Sequence, residues 1–175
     1  MILDLFKRTI AKLEDNDFTY MLSGSLAQNE YTVPRMTLDI DIVIELSVDD
    51  IDVFFQVFNE GVYINKDTVI EEVKRKGMFN VIDYKTSLKI DFIVVDNSEY
   101  RKNEMGRRIR KSLYGMDLWM VSVEDLIVSK IIWIQQLQSD KHINDIKNLL
   151  SNPKADHTYI IKWCKKLELK TNGLL

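Results

Sequence analysis

One cysteine, two histidines and two prolines are all that 175 residues hold of those types, and each scarcity excludes something. Cys164 alone rules out an internal disulfide, and with no signal-like start the chain is expected in the cytoplasm. His142 and His157 lack the spacing and companions of a zinc site, and no Ser-His-Asp ordering supports nucleophilic catalysis. Few prolines and six glycines, set against 46% hydrophobic residues, exclude a linker or disordered tail. The apolar runs, such as Ile90–Val95 and Ile131–Ile134, are too short to span a bilayer, so no membrane partner is expected. Charge of one sign is also missing. Twenty-four basic against 27 acidic residues give a net charge of −3, which argues against a protein that coats nucleic acid. Lys102, Arg107, Arg108, Arg110 and Lys111 are the local exception, either a surface that faces phosphates or a solvated run.

What is present is the content of one domain with a helical appendage. Apolar spacing predicts a helix over 2–13, a short strand over 18–22 and a helical turn over 26–29. A strand follows over 38–45, a helix over 48–59 and a short charged helix over 67–76. Two β-rich runs, 78–84 and 88–95, read as a hairpin. From Ser122 the chain turns helical, with a capping-box-like start at Ser122–Asp125 and further helices around 140–151 and 155–167. The expected fold is α+β, a mixed sheet flanked by helices over residues 1–121, with a C-terminal helical region, 122–175, packed on it. Trp119, Trp133, Trp163 and Cys164 are expected in the core.

The chemistry-bearing stretch is Ser23-Gly24-Ser25 followed by Asp39-Ile40-Asp41-Ile42. On a strand, Asp39 and Asp41 project to one side and the isoleucines to the other. Two carboxylates roughly 6.6 Å apart repel by about 2.5 kcal/mol at an effective dielectric near 20. A hard divalent cation held by carboxylate oxygens, together with substrate phosphates, offsets that cost. Asp91, on the second strand of the hairpin, is a third acid, sharing its side with Lys89. Lys130 interrupts the apolar stripe Leu126, Ile127, Ile131, Ile134. Its ammonium must reach a carboxylate, with Asp145 the candidate, or a bound phosphate, or else snorkel along the helix edge.

Gly24-Ser25-Leu26-Ala27, Arg35-x-Thr37-x-Asp39-Ile40-Asp41, Asp91 and a helix opening Glu124-Asp125-Leu126 resemble the DNA polymerase beta-like nucleotidyltransferase superfamily. Within it the pattern is most similar to the AbiEii-type and related minimal nucleotidyltransferases. The resemblance implies catalytic and metal-binding roles for Asp39, Asp41 and Asp91, with Mg²⁺ or Mn²⁺ as cofactor. It implies that Gly24, Ser25, Arg35, Thr37 and Lys130 surround the phosphates of an NTP substrate. The implied reaction moves an NMP group to a hydroxyl on a tRNA, a protein or a small molecule. Membership of a toxin and antitoxin pair, with a cognate antitoxin protein as partner, follows from the resemblance as well.

Each part also has an ordinary structural use. Gly24 can simply end a strand, Ser25 can cap a helix, Asp39 and Asp41 can lie on a solvated sheet face, and Arg35 can be a surface arginine. A catalytically silent nucleotide- or partner-binding module of the same fold is therefore the alternative to the enzyme, and phosphohydrolase chemistry from the same acids is a third reading.

Overall fold

The computed structural model describes residues 2–175. The opening apolar stripe becomes α1 (Ile2–Asp15), whose Leu5, Phe6, Ile10 and Leu13 are buried. β1 (Tyr20–Ser23) runs straight into the short α2 (Gly24–Gln28), and β2 (Ile40–Ile44) follows a long lead-in. A 3₁₀ turn (Val48–Asp50) starts α3 (Ile51–Phe58), after which come β3 (Val62–Tyr63) and α4 (Lys66–Arg75). The hairpin is β4 (Met78–Asp83) with β5 (Lys89–Val94). Then come α5 (Glu99–Gly106), β6 (Ile109–Leu113), β7 (Met116–Met120), α6 (Val123–Ile134), α7 (Asp140–Leu150) and α8 (His157–Lys166).

Among the described residues the strands form one seven-stranded sheet in the order β3-β4-β5-β2-β1-β7-β6. β2 lies parallel to β5 and β1 parallel to β7, while the remaining pairs are antiparallel. The fold is thus α+β with a mixed sheet, as the sequence predicts. Because β1 and β2 run in opposite directions, the end of β1 lies beside the start of β2, and the start of β5 lies there too.

Alternating residues of the central strands bury Ile40, Ile42 and Ile44 with Ile90, Phe92 and Val94. Phe54 on α3 sits at the centre of an aromatic cluster, stacked on Phe58 and edge-on to Phe79 and Phe92. α6, α7 and α8 join the same core through Leu126, Ile131, Ile146, Leu149 and Ile160. No helix among the described residues is long and apolar enough to cross a membrane.

The segment between Glu99 and Met120 departs most from the sequence-based expectation, which placed no element there. α5 buries Glu104 beside Tyr100 and Met105, with Arg101 as the Glu104 ion-pair partner at 2.7 Å, so hydrophobic periodicity does not reveal it. The β6–β7 hairpin turns at Tyr114 and Gly115, both with positive φ (52° and 79°), a turn that matches the twist of the strands it joins.

Most of the basic run, read from sequence as either a surface that faces phosphates or a solvated run, is engaged within the molecule. Arg107 pairs with Asp125 at 3.0 Å and with Glu124 at 3.1 Å, Arg110 with Glu14 at 2.8 Å, and Lys111 with Glu30 at 3.4 Å. Arg108 lies over the Trp119 ring. The run braces the molecule to itself.

Candidate active site

Register across the central strands assembles the acids. Asp41 on β2 stands opposite Ser23 at the end of β1 on one side and opposite Asp91 on β5 on the other. Since paired residues in neighbouring strands face the same way, Asp41 and Asp91 project from one face of the sheet. Asp39 falls one residue before β2 instead of inside the strand, and its side chain is 52% exposed, whereas Asp91 is buried. Leu38, expected in the strand, lies before it and is exposed.

Gly24 explains its own presence. Its φ is +61°, and a Cβ built there would lie 1.9 Å from Asp41 Oδ2. The turn and the carboxylate therefore occupy adjoining space that only glycine leaves open. Ser25 completes the seat, its backbone N–H donating to the Asp41 carboxylate. Burial, then the neighbouring charges of Asp91 and Asp39, push the Asp41 carboxyl up to about 6, against the pull of Lys130 and the Ser25 N–H.

A second group of charges flanks the acids. Arg35 reaches Asp145 through Nε at 3.2 Å and Nη2 at 2.9 Å, and its Nη2 also donates to the Ser25 hydroxyl at 2.8 Å. Lys130 donates to the same carboxylate at 3.1 Å, as does Gln28 at 2.9 Å. Asp145 is thus the partner that the lysine in the apolar stripe requires. Burial holds the Lys130 ammonium below its usual range, partly offset by Asp145. The hydrogen bonds from Arg35 and Gln28 and the charge of Lys130 together outweigh burial and bring the Asp145 carboxyl down to about 2. Two cations against one carboxylate leave one net positive charge beside the acids.

These residues line one cleft of about 420 Å³, which takes in Gly24, Ser25, Arg35, Asp39, Asp41, Asp91, Lys130 and Asp145. Thr37 is not among the lining residues. Its hydroxyl accepts from the Asp39 N–H at 3.4 Å, so it acts on the lead-in to the acids. Ser25, expected to offer donors to a phosphate, directs its N–H to Asp41, while its hydroxyl accepts from Arg35 and keeps its own O–H proton to donate. Arg35 and Lys130 are likewise held by Asp145. A second cleft, about 550 Å³, opens at the other end of β2 around Glu45, Lys76 and Asp96, away from this constellation.

As the side chains stand, no three His, Cys, Asp or Glu among the described residues are arranged to hold a metal ion. Asp91 is the reason in part. One of its oxygens accepts from the Asn80 amide and the other is 2.5 Å from the Lys89 ammonium. The Gly24 seat, which aims the Asp41 carboxylate into the cleft beside Asp91, still fits a divalent cation, because like charges crowded there gain from one.

Sequence reasoning missed other residues of the cleft. Trp133, expected in the core, is 47% exposed on its rim, while Trp163 and Cys164 are buried as expected. Burial pushes the Cys164 thiol up to about 11. Arg101 and Ser129 enter the cleft from the unexpected α5 and from α6. The polar edge of α6, with Ser129, Lys130 and Trp133 in succession around one side, was the available signal.

Such a sheet, with its acids at the starts of β2 and β5 beside the glycine turn between β1 and α2, is the nucleotidyltransferase fold. The antibiotic-resistance factor ANT(2'')-Ia in solution shares it, with a TM-score of 0.66 at 12% identity over 94% of this chain and 91% of that one. The lincosamide antibiotic adenylyltransferase LnuA, solved with lincomycin bound, gives 0.51 at 14% identity over 86% and 92%. An antigenic nucleotidyltransferase-like protein from Paracoccidioides brasiliensis gives 0.53 at 15% identity over 90% and 84%. No protein-family model matches the chain, and no curated protein does. The neighbours share a fold and do not single out the AbiEii type.

Proposed function

We propose that this protein is a metal-dependent nucleotidyltransferase that moves an NMP group from an NTP to an acceptor hydroxyl and releases pyrophosphate. The observation that carries the reading is Asp41, packed on Gly24 and in register with Asp91, facing the same cleft as Arg35 and Lys130. In the reaction the acceptor oxygen attacks the α-phosphorus, the bond from that phosphorus to the bridging oxygen breaks, and pyrophosphate leaves with the electron pair. Asp91 is suited to take the hydroxyl proton. Mg²⁺ or Mn²⁺, held by Asp39, Asp41 and Asp91, would supply neutralisation of the charge that develops on the phosphates. The net positive charge of the Arg35–Lys130–Asp145 group favours the triphosphate, and Thr37 orders the lead-in that carries Asp39.

A small hydroxylated molecule is the acceptor class we favour over tRNA or protein. Three members of the basic run that hinted at a phosphate-bearing acceptor, Arg107, Arg110 and Lys111, are taken up in ion pairs, and the cleft is of small-molecule size. Fold neighbours point the same way, since ANT(2'')-Ia has been solved with adenylyl-2''-tobramycin and LnuA with lincomycin. A toxin role with a cognate antitoxin rests on the sequence resemblance alone.

The test is incubation of the protein with α-labelled NTPs and Mg²⁺ or Mn²⁺ against a panel of aminoglycosides, lincosamides, tRNA and proteins. Label transferred to an acceptor by the wild type but not by Asp41→Ala establishes the activity. Nucleotide binding without transfer to any of the panel supports the silent module, and free phosphate released without acceptor supports a phosphohydrolase.

A further inference from the structure

Lys89 lies two residues before Asp91 on β5 and therefore shares its face, beside the acids. Its Nζ is 2.5 Å from Asp91 Oδ2 and 3.9 Å from Asp39 Oδ1. No other lysine or arginine among the described residues forms an ion pair with these acids as the side chains stand. The partners differ in freedom. The Lys89 side chain is 47% exposed on a flexible four-carbon stem, whereas that of Asp91 is 9% exposed and fixed on its other oxygen by Asn80. If the bond opens, the lysine is the member able to leave.

We infer that Lys89 is a built-in counter-ion: its ammonium neutralises Asp91 and Asp39 in the metal-free protein and is displaced when a divalent cation binds there. The inference deepens the proposed metal-dependent reading and rests on it. Both cations need the same Asp91 oxygen, and an ammonium held within a few ångströms of a divalent ion repels it. The exchange is one of ligands only, with no covalent bond made or broken. Metal affinity is consequently set low by the chain itself, and the acids are never left bare.

The experiment titrates Mn²⁺ into the wild type, Lys89→Met, Lys89→Arg and Asp41→Asn, with free ion read by electron paramagnetic resonance and no nucleotide present. Lys89→Met binds Mn²⁺ at least about tenfold more tightly than the wild type, while Lys89→Arg stays near it. Equal or weaker binding by Lys89→Met overturns the counter-ion role while leaving the metal site standing. No binding by either the wild type or Lys89→Met, or binding that Asp41→Asn leaves unchanged, overturns the metal reading and this role with it. A measurement on the unmutated chain guards against a variant that does not fold. Acylation of Lys89, followed by mass spectrometry relative to exposed Lys147, accelerates when Mn²⁺ replaces EDTA. A labelling rate indifferent to bound metal refutes displacement.

Discussion

Replacing Asp41 by asparagine is expected to make the metal-free protein more stable while abolishing transfer. The folded chain holds the Asp41 carboxyl near 6, against 3.8 for the free group, because burial and the charges of Asp91 and Asp39 oppose its ionisation. A shift of roughly two pK units, at about 1.4 kcal/mol each, amounts to about 3 kcal/mol. The sign follows from proton linkage. The folded state binds this proton more tightly than the unfolded one, so stability falls as pH rises from about 4 through about 6, and the whole penalty persists above that. Asparagine fills the same space, keeps an oxygen for the Ser25 N–H and carries no charge. A gain of about 2 to 3 kcal/mol at pH 7.5 corresponds to a rise of roughly 4–12 °C in Tm for a chain of this size. Thermal unfolding in EDTA at pH 7.5 and 4.5 checks it, with the difference shrinking at the lower pH, where wild-type Asp41 is mostly protonated. A variant no more stable at pH 7.5, or a gap of equal size at both pH values, refutes the reasoning.

Asp145→Ala leaves Arg35 and Lys130 facing each other without their shared carboxylate and is expected to cost about 3–5 kcal/mol in urea unfolding. Because the Asp145 carboxyl is held at about 2, its contribution is complete above about 4 and disappears only as pH falls toward 2, which an acid titration of stability resolves. Gly24→Ala forces a methyl into Asp41 Oδ2 at a left-handed backbone position. Transfer activity is expected to fall at least about a hundredfold, with a stability loss of roughly 1–3 kcal/mol by thermal melt.

The β1–turn–β2 unit and the hairpin were legible because strand alternation and one glycine are local signals. Asp39, Asp41 and Asp91 could be named from them, and Lys89 placed on the side of Asp91. What the hairpin alone does not carry is that β5 lies parallel to β2, and only that pairing brings Lys89 within 3.9 Å of Asp39. α5 escaped notice because its buried side sets only Tyr100 and Met105 beside a buried ion pair, Arg101 with Glu104, which hydropathy scores as surface. Trp133 shows the converse, since a large aromatic residue on an apolar helix reads as core even where the helix leaves it on a rim. The basic run stayed open between two readings, because charge density in sequence does not reveal that Glu14, Glu30, Glu124 and Asp125 lie against it.

An open sheet has two borders that can recruit strands from other molecules into aggregates. Here one border, β3, is only two residues long. The other, β6, carries Arg110 and Lys111 at its middle, pinned to Glu14 and Glu30. A short border and a charged, tethered one both discourage stacking. The positive residues that first looked like a grip for polyanions thus help keep copies of the protein apart at high concentration.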